Sequence, residues 1–268
     1  MHEDDTGARV AVPHRVRRVV SLVPSLTETV AATEPGLLVG ATDWCSHPEG
    51  LDVVRVRGTK NPDVDLVRDL RPDLVLANAE ENRACDLDAL REAGVPVWVT
   101  DIRTVDRALS SLRRLLTEAC GLPVPGWLVD AADAWASAPP PERTRNAVVP
   151  IWRRPWMVVG GDTFAGDVLA RLGVVNLYAG HADRYPKAPL DELVGAAPDL
   201  VVLPDEPYRF TADDGPESFP GIPCALVCGR HLTWYGPSLV TAPEVLRRQL
   251  AEEAPRRGPS SPGSRPSR

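Results

Sequence analysis

At 268 residues with a formal charge of −7, the chain is long enough to bury a sizeable core, either as one large domain or as two small lobes. The acidic balance and the lack of any long Lys/Arg block exclude a phosphate-directed surface, so no nucleic-acid partner is expected. No stretch approaches the ~20 consecutive apolar residues of a membrane span, so the protein is not expected to be membrane-integral.

Residues 1 to 14 read as a disordered lead. The opening MHEDDTGARVAVPHRVRRVV begins with acids and lacks the basic-then-apolar order of a secretory signal. Five cysteines at scattered spacing do not form a disulfide framework and fit a reducing compartment. The expected localisation is therefore cytoplasmic as written, or extracytoplasmic if the true start lies upstream. VRRVVSLV reads as a strand, and SLTETVAAT as a helix capped by Ser25 or Thr27 with Pro24 in the turn. Strands follow at Gly40 to Asp43, Leu74 to Ala77 and Val95 to Thr100, with a helix from Asp86 to Ala93 before the last. This alternation predicts a parallel sheet in an N-terminal α/β lobe, residues 15–103.

Helical spacing at Thr104 to Cys120 and Gly126 to Ala138, broken at Pro123 and Pro125, predicts a helical connector over residues 104–141. A second α/β set follows in a C-terminal lobe, residues 142–254. Its strands are Ala147 to Ile151, Leu200 to Leu203 and Ala225 to Val227, and its helices Phe164 to Leu172, Leu190 to Ala196 and about Ala242 to Glu253. The Pro/Ser/Arg-rich end, residues 255–268, reads as a disordered tail. The fold class is α/β, with two Rossmann-like lobes of parallel sheet joined by a helical connector.

One segment is spelled twice. DLVRDLRPDLVLANAEEN from Asp65 recurs as DELVGAAPDLVVLPDEPY from Asp191, at a constant offset of 126 that carries Asp65, Pro72, Asp73, Leu74, Val75 and Glu80 onto Asp191, Pro198, Asp199, Leu200, Val201 and Glu206. Each copy is a short helix, a Pro-Asp corner and an apolar strand. Two such units predict two similar lobes with a cleft between them. Ligands of open α/β sheets gather beyond the carboxyl ends of the strands, so Asn78, Glu80, Glu81 and Asn82 should face Asp205, Glu206 and Tyr208.

The strings RRVVSLVPSLTETV, DWCSHP, GTKNPDVD, LRPDLVLANAEEN, IWRRPWMVVGGDTF, LPDEPYRF and TWYG together resemble the helical-backbone metal receptor superfamily, the substrate-binding proteins of cobalamin and iron-chelate ABC importers, over roughly residues 15 to 250. The resemblance implies a non-enzymatic, monomeric binding protein that takes a corrinoid or iron chelate as ligand, with no prosthetic group. It also implies an ABC permease and ATPase as partners, docked through one acid on each lobe; these map to Asp65 and Asp191. The alternative for both acids is a first-turn position interacting with the helix dipole. The family's transport members carry an export signal or lipid anchor, and none is expected from the opening residues as written. The chain's connector helix of about 13 residues also rises only ~20 Å, which is short for the family's rod.

Seven Trp stand against three Phe. Trp44, Trp152, Trp156, Tyr185, Tyr208, Phe210, Trp234 and Tyr235 fall at strand ends or loops, where flat rings suit a flat ligand. Arg153 and Arg154 are candidates to clamp an anionic or amide-rich ligand edge, or are solvated loop arginines. Cys45 and His47 form the best soft-ligand pair, either as an axial contact to a chelated metal or as an ordinary turn; two residues close no metal site, and none is expected. The candidate ligand-binding set is thus Trp44, Cys45, His47, Glu80, Glu81, Asn82, Trp152, Arg153, Trp156, Tyr185, Tyr208 and Trp234. No Gly-rich phosphate loop, GxSxG elbow or HExxH helix is present, and no catalytic residue is assigned. The remaining rival is a cytoplasmic enzyme or handling protein for the same ligands without a permease.

Overall fold

The computed structural model describes residues 1–141 and 143–252; the expected tail at residues 255–268 lies outside the described residues. The first lobe holds β1 (Val19–Ser21), α1 (Pro24–Ala31), β2 (Leu38–Ala41), β3 (Val54–Arg55), α2 (Val64–Asp69), β4 (Leu74–Asn78), α3 (Ala84–Glu92) and β5 (Val97–Thr100). Its sheet runs in the order β3-β2-β1-β4-β5, and every pairing in it is parallel. After α4 (Val105–Arg114) and α5 (Gly126–Ala136) come β6 (Arg145–Val148), α6 (Phe164–Arg171), β7 (Val174–Asn176), α7 (Leu190–Gly195), β8 (Leu200–Pro204), β9 (Cys224–Val227), α8 (Gly229–Thr233) and α9 (Ala242–Ala251). The second sheet, β7-β6-β8-β9, is also parallel throughout and repeats the order of the first without its outer strand.

The repeated segment has one physical cause in both lobes. Helix α2 stops where Arg71 turns left-handed (φ 47°), and α7 stops where Ala197 does the same (φ 49°); a proline follows each and prevents continuation. The next residue pins the neighbouring strand. The Asp73 amide donates to the Arg18 carbonyl while its carboxylate accepts from the Arg17 and Arg18 amides at 2.7 and 3.0 Å. Asp199 does likewise with Asn146, accepting its amide at 2.9 Å. The Pro-Asp corner is thus a helix stop joined to a sheet clamp.

Side chains alternate between the two faces of each sheet. Leu74 and Leu76 of β4 face a large core shared with Leu200 and Val202 of β8, the connector's Leu112, Leu116, Leu128 and Trp135, and Leu246 of α9. Val75 and Ala77 face a separate core closed by Leu87 and Leu90 of α3, and Val201 and Leu203 face a third with Phe210 and Phe219. With both faces covered, the strands are near-continuous apolar runs. The shared core crosses the lobes, so the connector is a packed wedge rather than a free hinge.

Two expectations are corrected. Residues 2–3 and 9–10 pair as an antiparallel hairpin rather than forming a disordered lead. The Asp5 carboxylate, 1 % exposed, accepts from Ser111 and from Arg114 of α4, and its amide donates to the Val99 carbonyl. Neither Ser25 nor Thr27 caps α1: Pro24 takes the first helical position, Val23 becomes the cap residue without any side-chain bond, and Thr27 Oγ1 turns back to the Val23 carbonyl at 3.0 Å.

Candidate functional site

The carboxyl ends of the two sheets face each other across a cavity of about 470 Å³. The first lobe contributes Pro24 and Ser25 at the start of α1, Thr59 and Lys60, Asn78, Glu80 and Glu81 beyond β4, and Ile102. The second contributes Ile151, Val159, Phe164, Ala165, Tyr185, Glu206, Pro207, Thr233, Trp234 and Tyr235. The volume lies within the range of small-molecule sites, and the lining is apolar with a few convergent polar groups.

The acids are held by their own loop. Asn78 Oδ1 accepts the amides of Glu80 and Glu81 at 2.9 and 3.2 Å, while Asn82 Oδ1 accepts the Asn78 amide at 2.9 Å. Asn82 also donates to the carbonyls of Leu22 and Thr59, so it braces the loop instead of lining the cavity. Glu80 reaches across to the other lobe, accepting from the Tyr185 hydroxyl and pairing with Arg184 at 3.2 Å. Glu81 accepts the Tyr235 hydroxyl at 3.1 Å. Opposite, Glu206 accepts the Trp234 indole at 3.1 Å. Gly229 lets the helix that follows β9 lie against Glu206, because a Cβ there would come within 2.6 Å of the Glu206 amide nitrogen.

Burial sets the electrostatics. The Glu81 carboxyl is raised from 4.5 to about 7, first by burial and then by the Glu80 charge, against the opposing Tyr235 bond and Lys60. Glu206 is also raised, by burial and then by Asp205. The Tyr185 and Tyr235 hydroxyls are pushed up by burial and by these carboxylates, so both remain donors. A carboxyl raised on folding stabilises fully below its unfolded value and loses that contribution as pH rises through the folded one. Glu81→Gln, which keeps an acceptor for Tyr235, is therefore expected to match wild type within about 0.5 kcal/mol at pH 4 and to exceed it by roughly 2–3 kcal/mol at pH 8. Urea unfolding at the two pH values checks this, and equal differences at both would contradict it.

Of the twelve candidate ligand-binding residues, Glu80, Glu81, Tyr185 and Trp234 line the cavity. His47 sits at its edge, its ring edge-on to Trp234 at 5.4 Å. Cys45 points inward from the same turn, fully buried, with hydroxyls of Thr27 and Thr42 at 3.0 and 3.1 Å from its sulfur. The proposed soft-ligand pair is thus split between core and cleft. Trp44 is 68 % exposed, beside Gly58.

The remaining four form a separate cluster in the second lobe. Trp152 stands edge-on to Tyr208 at 5.7 Å, and Trp156 packs on Phe210 and Phe219. Arg153 lies over Trp156 and is paired with Asp214 and Glu217, which fills the fork that an anionic ligand would need. Sequence reasoning left Ser25, Lys60 and Phe164 unassigned; the offset of the repeat, applied to Glu80, identifies Glu206. Asp65 and Asp191 lie in the first turns of α2 and α7, both exposed, with Arg68 at 3.2 Å from Asp65. Among the described residues, no three His, Cys, Asp or Glu side chains converge as a metal shell requires, and no helix is long and apolar enough to cross a membrane.

No protein-family profile matches the chain. A vitamin B12-binding protein of Yersinia pestis (strain Pestoides F) is 26 % identical over 195 residues, 69 % of each chain. Among solved structures, the periplasmic vitamin B12 binding protein BtuF of Vibrio cholerae superposes with a TM-score of 0.69 at 18 % identity, covering 89 % of this chain and 98 % of its own. The periplasmic haem-binding protein BhuT gives 0.71 at 23 % identity, covering 87 % and 97 %. CeuE of Helicobacter pylori, solved with nickel and histidine, gives 0.78 at 13 % identity, covering 93 % and 87 %.

Proposed function

We propose that this chain, which has the fold of the class III substrate-binding proteins and the helical-backbone metal receptors, is a non-enzymatic receptor that holds a corrinoid or comparable metal chelate between its lobes. The observation that carries this reading is the cavity itself, built at the carboxyl ends of two pseudo-symmetric parallel sheets. The curated relatives and several solved neighbours are binding proteins for vitamin B12 or haem, which supports a chelate as ligand. Titration with cobalamin, cobinamide, haem and ferric chelates, beside bare zinc and manganese, tests it: submicromolar binding of at least one chelate is expected, and tight binding of a bare ion alone would overturn the reading.

The neighbours described as periplasmic support an extracytoplasmic working place rather than a cytoplasmic one. In that setting the partner is an ABC permease, with Asp65 and Asp191 as its docking acids. Both begin surface helices at equivalent positions of the repeat, as a two-fold permease requires. The double variant Asp65→Ala/Asp191→Ala is expected to keep ligand affinity within about threefold while losing co-purification with the permease, because each truncated pair costs ~2–5 kcal/mol. Loss of ligand binding would instead move these carboxylates into the site.

The core shared across lobes and connector also limits motion. Small-angle scattering with and without bound chelate should agree in radius of gyration within about 0.5 Å, since a packed interface resists shear. A larger compaction would make the connector a hinge.

A further inference from the structure

Acceptors and donors are unevenly distributed around the cleft. Glu80 and Glu206, equivalent positions of the repeat, each bring a carboxylate from one lobe to the same cavity, and Glu81 adds a third. Among the described lining residues the one cation is Lys60, whose ammonium donates to the Glu80 carbonyl. Nearby guanidiniums are already paired: Arg184 with Glu80 and Asp162, and Arg230 with Glu28. Independently, Ser25 lines the cavity at 2 % exposure and its hydroxyl closes no hydrogen bond of normal geometry within the protein. Its polar neighbour is the Tyr235 hydroxyl, which itself donates to Glu81, so the Ser25 oxygen keeps its acceptor capacity for a ligand N–H.

Resting on the chelate-receptor reading, we infer that Glu81 and Glu206 set the ligand class, so that the cleft accepts a chelate whose rim carries amide N–H donors and rejects one whose rim carries carboxylates. Amide donors meeting an ionised carboxylate form charge-assisted hydrogen bonds, about twice as strong as neutral ones. A ligand carboxylate in the same place meets like charge in a site partly stripped of water, which is how an interface excludes a wrong partner. Corrinoids with side amides satisfy the first description, whereas porphyrins with propionates meet the second.

The test keeps ring and metal fixed and changes only the rim. Dicyanocobinamide is compared by absorbance titration at pH 8 with dicyanocobyrinic acid, in which every side amide is a carboxylate. The amide form is expected to bind at least about 100-fold more tightly, a difference of two decades in Kd. In Glu81→Gln/Glu206→Gln, the gap should shrink at least tenfold, by gain for the acid and loss for the amide. Equal binding of both corrinoids to wild type would overturn the inference while leaving the receptor reading intact. So would an unchanged ratio in a variant whose thermal unfolding remains cooperative. Binding of neither corrinoid nor any other chelate would remove both.

Discussion

Arg230→Met is expected to cost about 2–4 kcal/mol of stability, one of the largest losses from any single substitution across the lobe seam. Arg230 in α8 pairs with Glu28 in α1, whose side chain is only 7 % exposed, and lies over the Trp234 ring at 5.9 Å. The contact joins Arg230 Nη2 to Glu28 Oε1, while Glu28 Oε2 and Arg230 Nε make no hydrogen bond, so the carboxylate depends on this one guanidinium. Gly236 brings the two lobes this close, since a Cβ there would lie 3.0 Å from the Ser25 carbonyl. Removing one member of a buried pair strands an uncompensated charge, typically ~3–5 kcal/mol, reduced here because Arg230 is partly exposed. Adding Glu28→Gln to the same protein should recover at least half of the loss, because no charge then remains buried. Urea unfolding of the single and double variants checks both statements; a single-variant loss below about 1 kcal/mol would mean that the pair does not join the lobes.

The second large effect separates two tryptophans that the sequence placed in one role. Trp234→Ala should weaken chelate binding roughly tenfold to a hundredfold, since it removes ~1–3 kcal/mol of ring burial from the cavity wall and releases the Glu206 carboxylate. Trp156→Ala should leave affinity within about threefold. Its ring packs against Phe210, Phe219 and Arg153 away from the cavity, so the loss appears as about 2–3 kcal/mol of stability. Calorimetry with cobinamide and urea unfolding on both variants would separate the roles. A large affinity loss in Trp156→Ala with unchanged stability would place the aromatic cluster in the site.

That contrast also marks how far the sequence could be read. The repeat was legible because every residue it shares acts locally: a left-handed stop, a proline and an aspartate that clamps the next strand leave their trace in consecutive letters. The cleft's location followed, because parallel strands deliver their ligands at one end. Which side chains enter it did not follow. Ile151 lines the cavity, whereas its neighbour Trp152 in the short strand Pro150–Trp152 is exposed and packs on Tyr208 instead, and the strand's register shifts between Pro150 and Trp152. Placement at a strand end thus names the correct rim but leaves the facing undecided. The same limit divided Cys45 from His47 within one turn. Asp5 looked like part of a solvated lead because its partners, Arg114 and Ser111, lie more than a hundred residues away and leave no local pattern.

The central claim is that a metal chelate sits between the lobes, bounded by Glu80 and Glu81 on one side and Tyr185, Glu206 and Trp234 on the other. Anomalous diffraction at the cobalt edge, from crystals grown with cobinamide, locates the metal without reference to affinity. The account predicts one strong peak inside the interlobe cavity, with the ring edge toward Trp234 and side amides within hydrogen-bond reach of Glu81 and Glu206. A peak at the Trp152, Trp156 and Tyr208 cluster, or on the outer face of either lobe with the cavity left empty, would contradict it.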